Sequence, residues 1–129
     1  MTTIINANTS AGLTQTADTS GIVKLQSNGV TTNAIAWVNF AGASGTRNAS
    51  YNVSSVTRTT TGQYVVNFAT ALADVNYTWA VNMTGLGGAN GYFIGNSTTN
   101  TTTTLQLLTI TSSIAYADPT MVAVTVFGN

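Results

Sequence analysis

No run of ten residues in this chain spaces its apolar side chains as a helix would. What recurs instead is alternation, apolar then polar, in short runs broken by turn residues. Side chains that switch faces at every step belong to β-strands, so the chain is committed to sheets. The pattern is densest over 34–81. Four runs begin there, 34–40, 50–58, 63–68 and 76–84, all rich in β-branched and aromatic residues. Such residues pack well on a pleated surface. Trp37 and Trp79 lie in this stretch with Phe40, Tyr51, Tyr64, Phe68 and Tyr77. Most of the aromatic mass thus falls in one meander, which is expected to form the core.

The faces can be read run by run. In 34–40, Ile35, Trp37 and Asn39 point one way and Ala36, Val38 and Phe40 the other. Two apolar faces predict a central strand, or one covered by a neighbouring subunit. In 63–68, Tyr64, Val66 and Phe68 share a face opposite Val65 and Asn67, the pattern of a half-buried antiparallel strand. In 76–84, Tyr77, Trp79, Val81 and Met83 share one face. Residues 59–62 predict a tight hairpin and 69–74 a crossover. Further strands are expected at 21–26, 92–96, 104–111 and 121–127, with turns at Asn28-Gly29 and Asp118-Pro119 and loops at 85–91 and 97–103. About eight strands, with turn signals about every 8–12 residues, predict an all-β, jelly-roll-like antiparallel β-sandwich. Residues 1–20 lack a clear period and read as an extended N-terminal arm; 21–129 reads as a single sandwich domain.

Composition decides what such a sandwich can touch. Only 5% of residues are charged, against about 25% in ordinary domains. Uncharged polar residues fill the gap: 26 Thr, 14 Asn and 10 Ser. The charges are Lys24, Arg47, Arg58, Asp18, Asp74 and Asp118, with zero formal net charge. No basic cluster exists to neutralise phosphates or to hold an anionic membrane, so neither nucleic acid nor a membrane surface is an expected partner. No apolar run approaches the roughly 20 residues of a membrane-spanning helix. A surface without charge also lacks the repulsion that keeps copies apart, so the chain is expected to work packed in an assembly.

Catalytic chemistry has little to draw on. General acid–base work needs a group titrating near the working pH, and the chain has no His and no Glu. There is no Cys to act as nucleophile or metal ligand, and no His to activate the many hydroxyls. The three Asp are scattered, and Asp74 and Asp118 sit beside turn signals, where Asp usually bonds backbone. No catalytic, metal or cofactor residue is therefore expected. Gly85-Leu86-Gly87-Gly88 has glycines like a phosphate loop, but no helix follows to hold the phosphate. Trp37 and Trp79 can stack on sugar rings, yet each lies in an apolar alternation and reads as core. Tyr92, beside Asn90 at the end of a Gly-rich loop, is the better exposed aromatic and the candidate glycan contact.

One resemblance is specific. Trp37-Val38-Asn39-Phe40, then Arg47, then Ser50-Tyr51-Asn52-Val53-Ser54-Ser55-Val56, then Thr61-Gly62-Gln63-Tyr64-Val65-Val66-Asn67-Phe68, then Asp74-Val75-Asn76-Tyr77 resemble a module of tailed bacteriophages, cyanophage-type ones included. The module recurs at the ends of tail fibres and tailspikes and in small virion proteins. The resemblance implies a β-sandwich that assembles as a homotrimer with a structural or adhesive task and no catalytic residues. It implies a subunit contact at Arg47, with Trp37 beside it. Here the module begins near residue 34, with no long shaft before it. That favours a capsid cement or decoration protein on the outer capsid, bound to the major capsid protein. Thr2, Ile4, Ile5 and Leu13 of the arm are then the expected capsid contacts. The alternative is the receptor-binding tip of a tail fibre or tailspike, located at the distal tail and bound to host surface polysaccharide.

Overall fold

The computed structural model of the chain describes residues 25–27, 30–85, 91–95 and 100–128. Among them, ten strands run antiparallel: β1 Gln26–Ser27, β2 Val30–Thr31, β3 Ala36–Phe40, β4 Arg47–Tyr51, β5 Val53–Thr60, β6 Gln63–Phe68, β7 Thr78–Thr84, β8 Gly91–Gly95, β9 Thr104–Thr111 and β10 Met121–Phe127. The first two pair as a small ribbon, Ser27 opposite Val30. The other eight form two four-stranded sheets, ordered β4-β3-β10-β7 and β5-β6-β9-β8. Residues 1–24, with the expected arm and most of the strand expected at 21–26, lie outside the described residues. So do residues 86–90 of the loop expected at 85–91 and 97–99 of the loop expected at 97–103.

The two sheets pack face to face as a β-sandwich. Ala36, Val38 and Phe40 of β3 and Val122, Val124 and Val126 of β10 point inward from one sheet. Tyr64, Val66 and Phe68 of β6 and Leu105 and Leu107 of β9 meet them from the other. Phe40 and Tyr64 touch edge to face across the interior, ring centroids 5.1 Å apart. Each such side chain contributes about 1.5–3 kcal/mol by leaving water. Trp79, Val81 and Met83 of β7 pack against this core while only partly buried. The alternation of β6 becomes burial on one face, as the sequence predicts; β10 does the same, while β9 also buries Ile110 next to Thr109.

Three expectations are corrected. The run 50–58 is not one strand: Asn52 takes a left-handed conformation, φ 52°, and splits it into β4 and β5. Those two strands sit in different sheets, so one residue turns the chain from one layer to the other. Asn52 is suited to the corner because Asn tolerates this conformation. Its Nδ2 donates to the carbonyls of Ile35 and Thr70, at 3.2 and 3.3 Å, and its Oδ1 accepts from Thr70 N at 2.8 Å. Second, the aromatic stretch is not one meander making the core alone. It supplies β3 and β4 to one sheet, β5 and β6 to the other and β7 back to the first, and β9 and β10 complete the interior. Third, Trp37 is not core: it faces outward and is 39% exposed.

Candidate functional site

Charge was scarce in the sequence, and the structure shows where it goes. Four charged residues lie among those described, and each is engaged within its own chain. Asp74 Oδ1 accepts from Asn76 N at 2.6 Å, closing a turn in the crossover after β6. Arg47 Nη1 donates to Ser50 Oγ at 2.9 Å and to the carbonyl of Val53 at 2.5 Å, binding β4 to the start of β5. Both bonds are made within its own chain. Arg58 and Asp118 pair with each other at 2.6 Å.

Asp118 is the most heavily engaged group. Its Oδ1 accepts from Arg58 Nε at 3.0 Å, Gly62 N at 2.8 Å and Tyr64 Oη at 2.8 Å, while Oδ2 accepts from Arg58 Nη2. The Arg58 guanidinium, above all, holds this carboxyl down at about 2, with the Gly62 amide and the Tyr64 hydroxyl adding to it. Burial, and then the neighbouring carboxylate, push the Tyr64 phenol well above its ordinary range. Gly62 makes the close approach possible. Its φ is 66°, and a Cβ there would lie 2.5 Å from the Thr109 carbonyl. The cluster clamps the β5–β6 hairpin to the segment before β10. Both carboxylate oxygens of Asp118 are engaged in that clamp, and Asp74 sits at the other end of β6. Among the described residues no three His, Cys, Asp or Glu come together.

An uncharged surface open to contact is the outer face of the β4-β3-β10-β7 sheet. Strand register places Tyr51, Trp37, Thr125 and Ala80 in one row across it. The next row is Ala49, Asn39, Ala123 and Asn82. Phe127 and Thr78 flank one side and Met121 and Thr84 the other. None of these twelve positions is charged. Trp37 and Phe127 are exposed, and Tyr51 lies directly across from Trp37. Asn48 Nδ2 donates to Asn39 Oδ1 at 2.9 Å, fixing an amide pair beside Trp37.

Other sequence candidates separate. Thr2, Ile4, Ile5, Leu13 and Asn90 lie outside the described residues. Tyr92 falls on β8, its backbone opposite Ile110, with its side chain outside the described ones. Trp37 and Arg47 lie on neighbouring strands, but only Trp37 presents a face to solvent without an intrachain tether. The Arg58–Asp118 pair was missed because 60 residues separate its members; that only six charges exist was the one available hint. Comparison with protein-family models, with curated proteins and with solved structures finds no match for this chain.

Proposed function

We propose that this chain is a structural virion protein of a tailed phage, a trimeric decoration protein that reinforces the outer capsid surface through contact with the major capsid protein. One observation carries the reading: all charges of the described residues are spent inside the chain, leaving an uncharged sheet face with Trp37 and Phe127 exposed. Such a face suits burial against protein, since no charge has to be desolvated. The residues shared with the phage module supply the virion setting and the number three. Repetition of one weak contact three times per trimer gives firm attachment without ion pairs. The arm at residues 2–17, with Thr2, Ile4, Ile5 and Leu13, is a natural second contact, pairing its backbone with a neighbour's sheet edge. Copy number per virion tests the reading. Copies in the hundreds fit a capsid lattice; a number matching the few fibres of a tail overturns it.

A second reading has its own observation. Trp37 and Tyr51 are direct cross-strand partners beside the Asn39–Asn48 amide pair. Rings with neighbouring amides suit the apolar face and hydroxyls of a neutral sugar, as a tail adhesin would need. Asn90 and Tyr92 would extend that surface. Quenching of tryptophan fluorescence by a neutral polysaccharide, lost in Trp37→Ala, supports the adhesin; no response removes it.

A further inference from the structure

The segment after β9 folds back on itself. Thr111 N donates to the Ala115 carbonyl at 2.8 Å and Ile114 N to the Thr111 carbonyl at 2.9 Å. Ala115 N reaches Thr111 Oγ1 at 3.3 Å, and Ile110 bridges to Tyr116. This is a three-residue hairpin loop, a turn followed by one left-handed residue, and that last position normally takes Gly or Asn. Ile114 occupies it, with φ 61°.

At the other left-handed positions of the described residues the usual types appear: Gly45, Gly62, Gly85 and Asn52. Ile114 alone breaks the rule, and a β-branched side chain is the least tolerant of it. Burial does not compensate. The side chain is 81% exposed, the most exposed of the large apolar residues described, and Tyr116 two positions on is half exposed. The fold gains nothing from this residue in this place. Strain retained without a gain to the fold is expected where a residue serves a contact.

We propose that Ile114 is an apolar knob, held outward by its hydrogen-bonded loop, that seats in an apolar socket on a different protein. A branched aliphatic side chain has no hydrogen-bonding group, so it reads neither sugar hydroxyls nor phosphate; its gain is removal from water. One aliphatic residue without accompanying cations is a poor membrane anchor. A second copy offers no match along β4, where the shallow depression is lined by Thr46, Arg47, Asn48, Ala49 and Ser50. The pinned loop presents the side chain in one place, so docking orders little. Resting on the decoration reading, the socket belongs to the major capsid protein.

Particles prepared without the protein, by deleting its gene, are mixed with purified wild type, Ile114→Asn and Ile114→Leu, and each free protein is melted in parallel. Ile114→Asn relieves the backbone and removes the knob: its melting temperature rises by about 2–4 °C, and its binding to particles weakens at least about tenfold. Ile114→Leu keeps an apolar side chain and keeps binding. Asn binding as well as wild type overturns the knob, and so does a lowered melting temperature for Asn, which denies the strain. Wild type that fails to bind overturns the decoration reading and this assignment together, a result distinct from loss in the Asn variant alone.

Discussion

Arg58 grips Asp118 through both carboxylate oxygens, Nε to Oδ1 at 3.0 Å and Nη2 to Oδ2 at 2.6 Å, across 60 positions of sequence. The same Oδ1 satisfies the Gly62 amide and the Tyr64 hydroxyl, and Tyr64 is almost fully buried. Asp118→Ala therefore breaks the Arg58 pair and leaves the Gly62 amide and the Tyr64 hydroxyl without this acceptor at the closed end of the β5–β6 hairpin. The loss expected from those donors is about 1–3 kcal/mol, read from the denaturant midpoint. Asp118→Asn keeps an acceptor oxygen and loses less.

Acid should act through the same group. The folded carboxyl of Asp118 sits near 2, below its ordinary value of about 3.9. A depressed folded value means the stabilisation is complete above the ordinary value and is lost as pH falls toward 2. Melting temperature should hold steady from neutral pH to about 4, then drop between 4 and 2. In Asp118→Asn that drop should be shallower. Equal acid limbs in the two proteins would show that the clamp does not govern acid stability.

The two tryptophans should behave differently. Trp79 points into the sandwich, tilted against Tyr77 with centroids 6.1 Å apart, and packs against the core. Removing a large packed aromatic costs about 3–5 kcal/mol, so Trp79→Ala, only part-buried, should lose about 3 kcal/mol. Trp37 stands on the outer face, and Trp37→Ala should lose under about 1 kcal/mol. Chemical denaturation of both variants checks the order.

That contrast shows how far alternation carries. It located β6 with its observed bounds, because that strand buries one face and leaves the other part-exposed; the runs 104–111 and 121–127 matched β9 and β10 as well, although β9 buries both Thr109 and Ile110. In β3 both faces are apolar, and alternation cannot say which meets the core. Asn39, sharing the Trp37 face, was the signal that this face turns outward. The corner at Asn52 was hidden for a related reason. Tyr51 and Val53 flank it in unbroken alternation, while a single left-handed residue redirects the chain without altering the pattern. Ile114 is less legible still: Ser112-Ser113-Ile114-Ala115 lacks the Gly or Asn that would announce its turn.

Asn52 can be tested directly. Asn52→Gly keeps the left-handed backbone and loses the bonds to Ile35 and Thr70. Asn52→Ala loses those bonds and adds left-handed strain of about 1–2 kcal/mol. The expected order of melting temperatures is wild type, then Gly, then Ala. Ala as stable as Gly would mean that the backbone at this corner is not strained.

Assembly is the last consequence of the missing charge. The proposed trimer should scatter light as three chains of 13.3 kDa, about 40 kDa. Raising salt to about 1 M shortens the Debye length to roughly 3 Å and weakens exposed ion pairs, which contribute about 0–1 kcal/mol each. The four charges of the described residues already serve turns and the clamp, so none of these four is left to join subunits. The trimer mass should therefore be unchanged from low salt to about 1 M. A lysine placed on the uncharged face attacks the contact itself, because burying an unpaired cation between subunits is costly. Trp37→Lys should yield a folded monomer that melts below the wild-type trimer, because it loses the stabilisation that association adds. A mass that falls with salt would mean that ion pairs hold the subunits. A Trp37→Lys protein that remains trimeric would remove this sheet face as the interface.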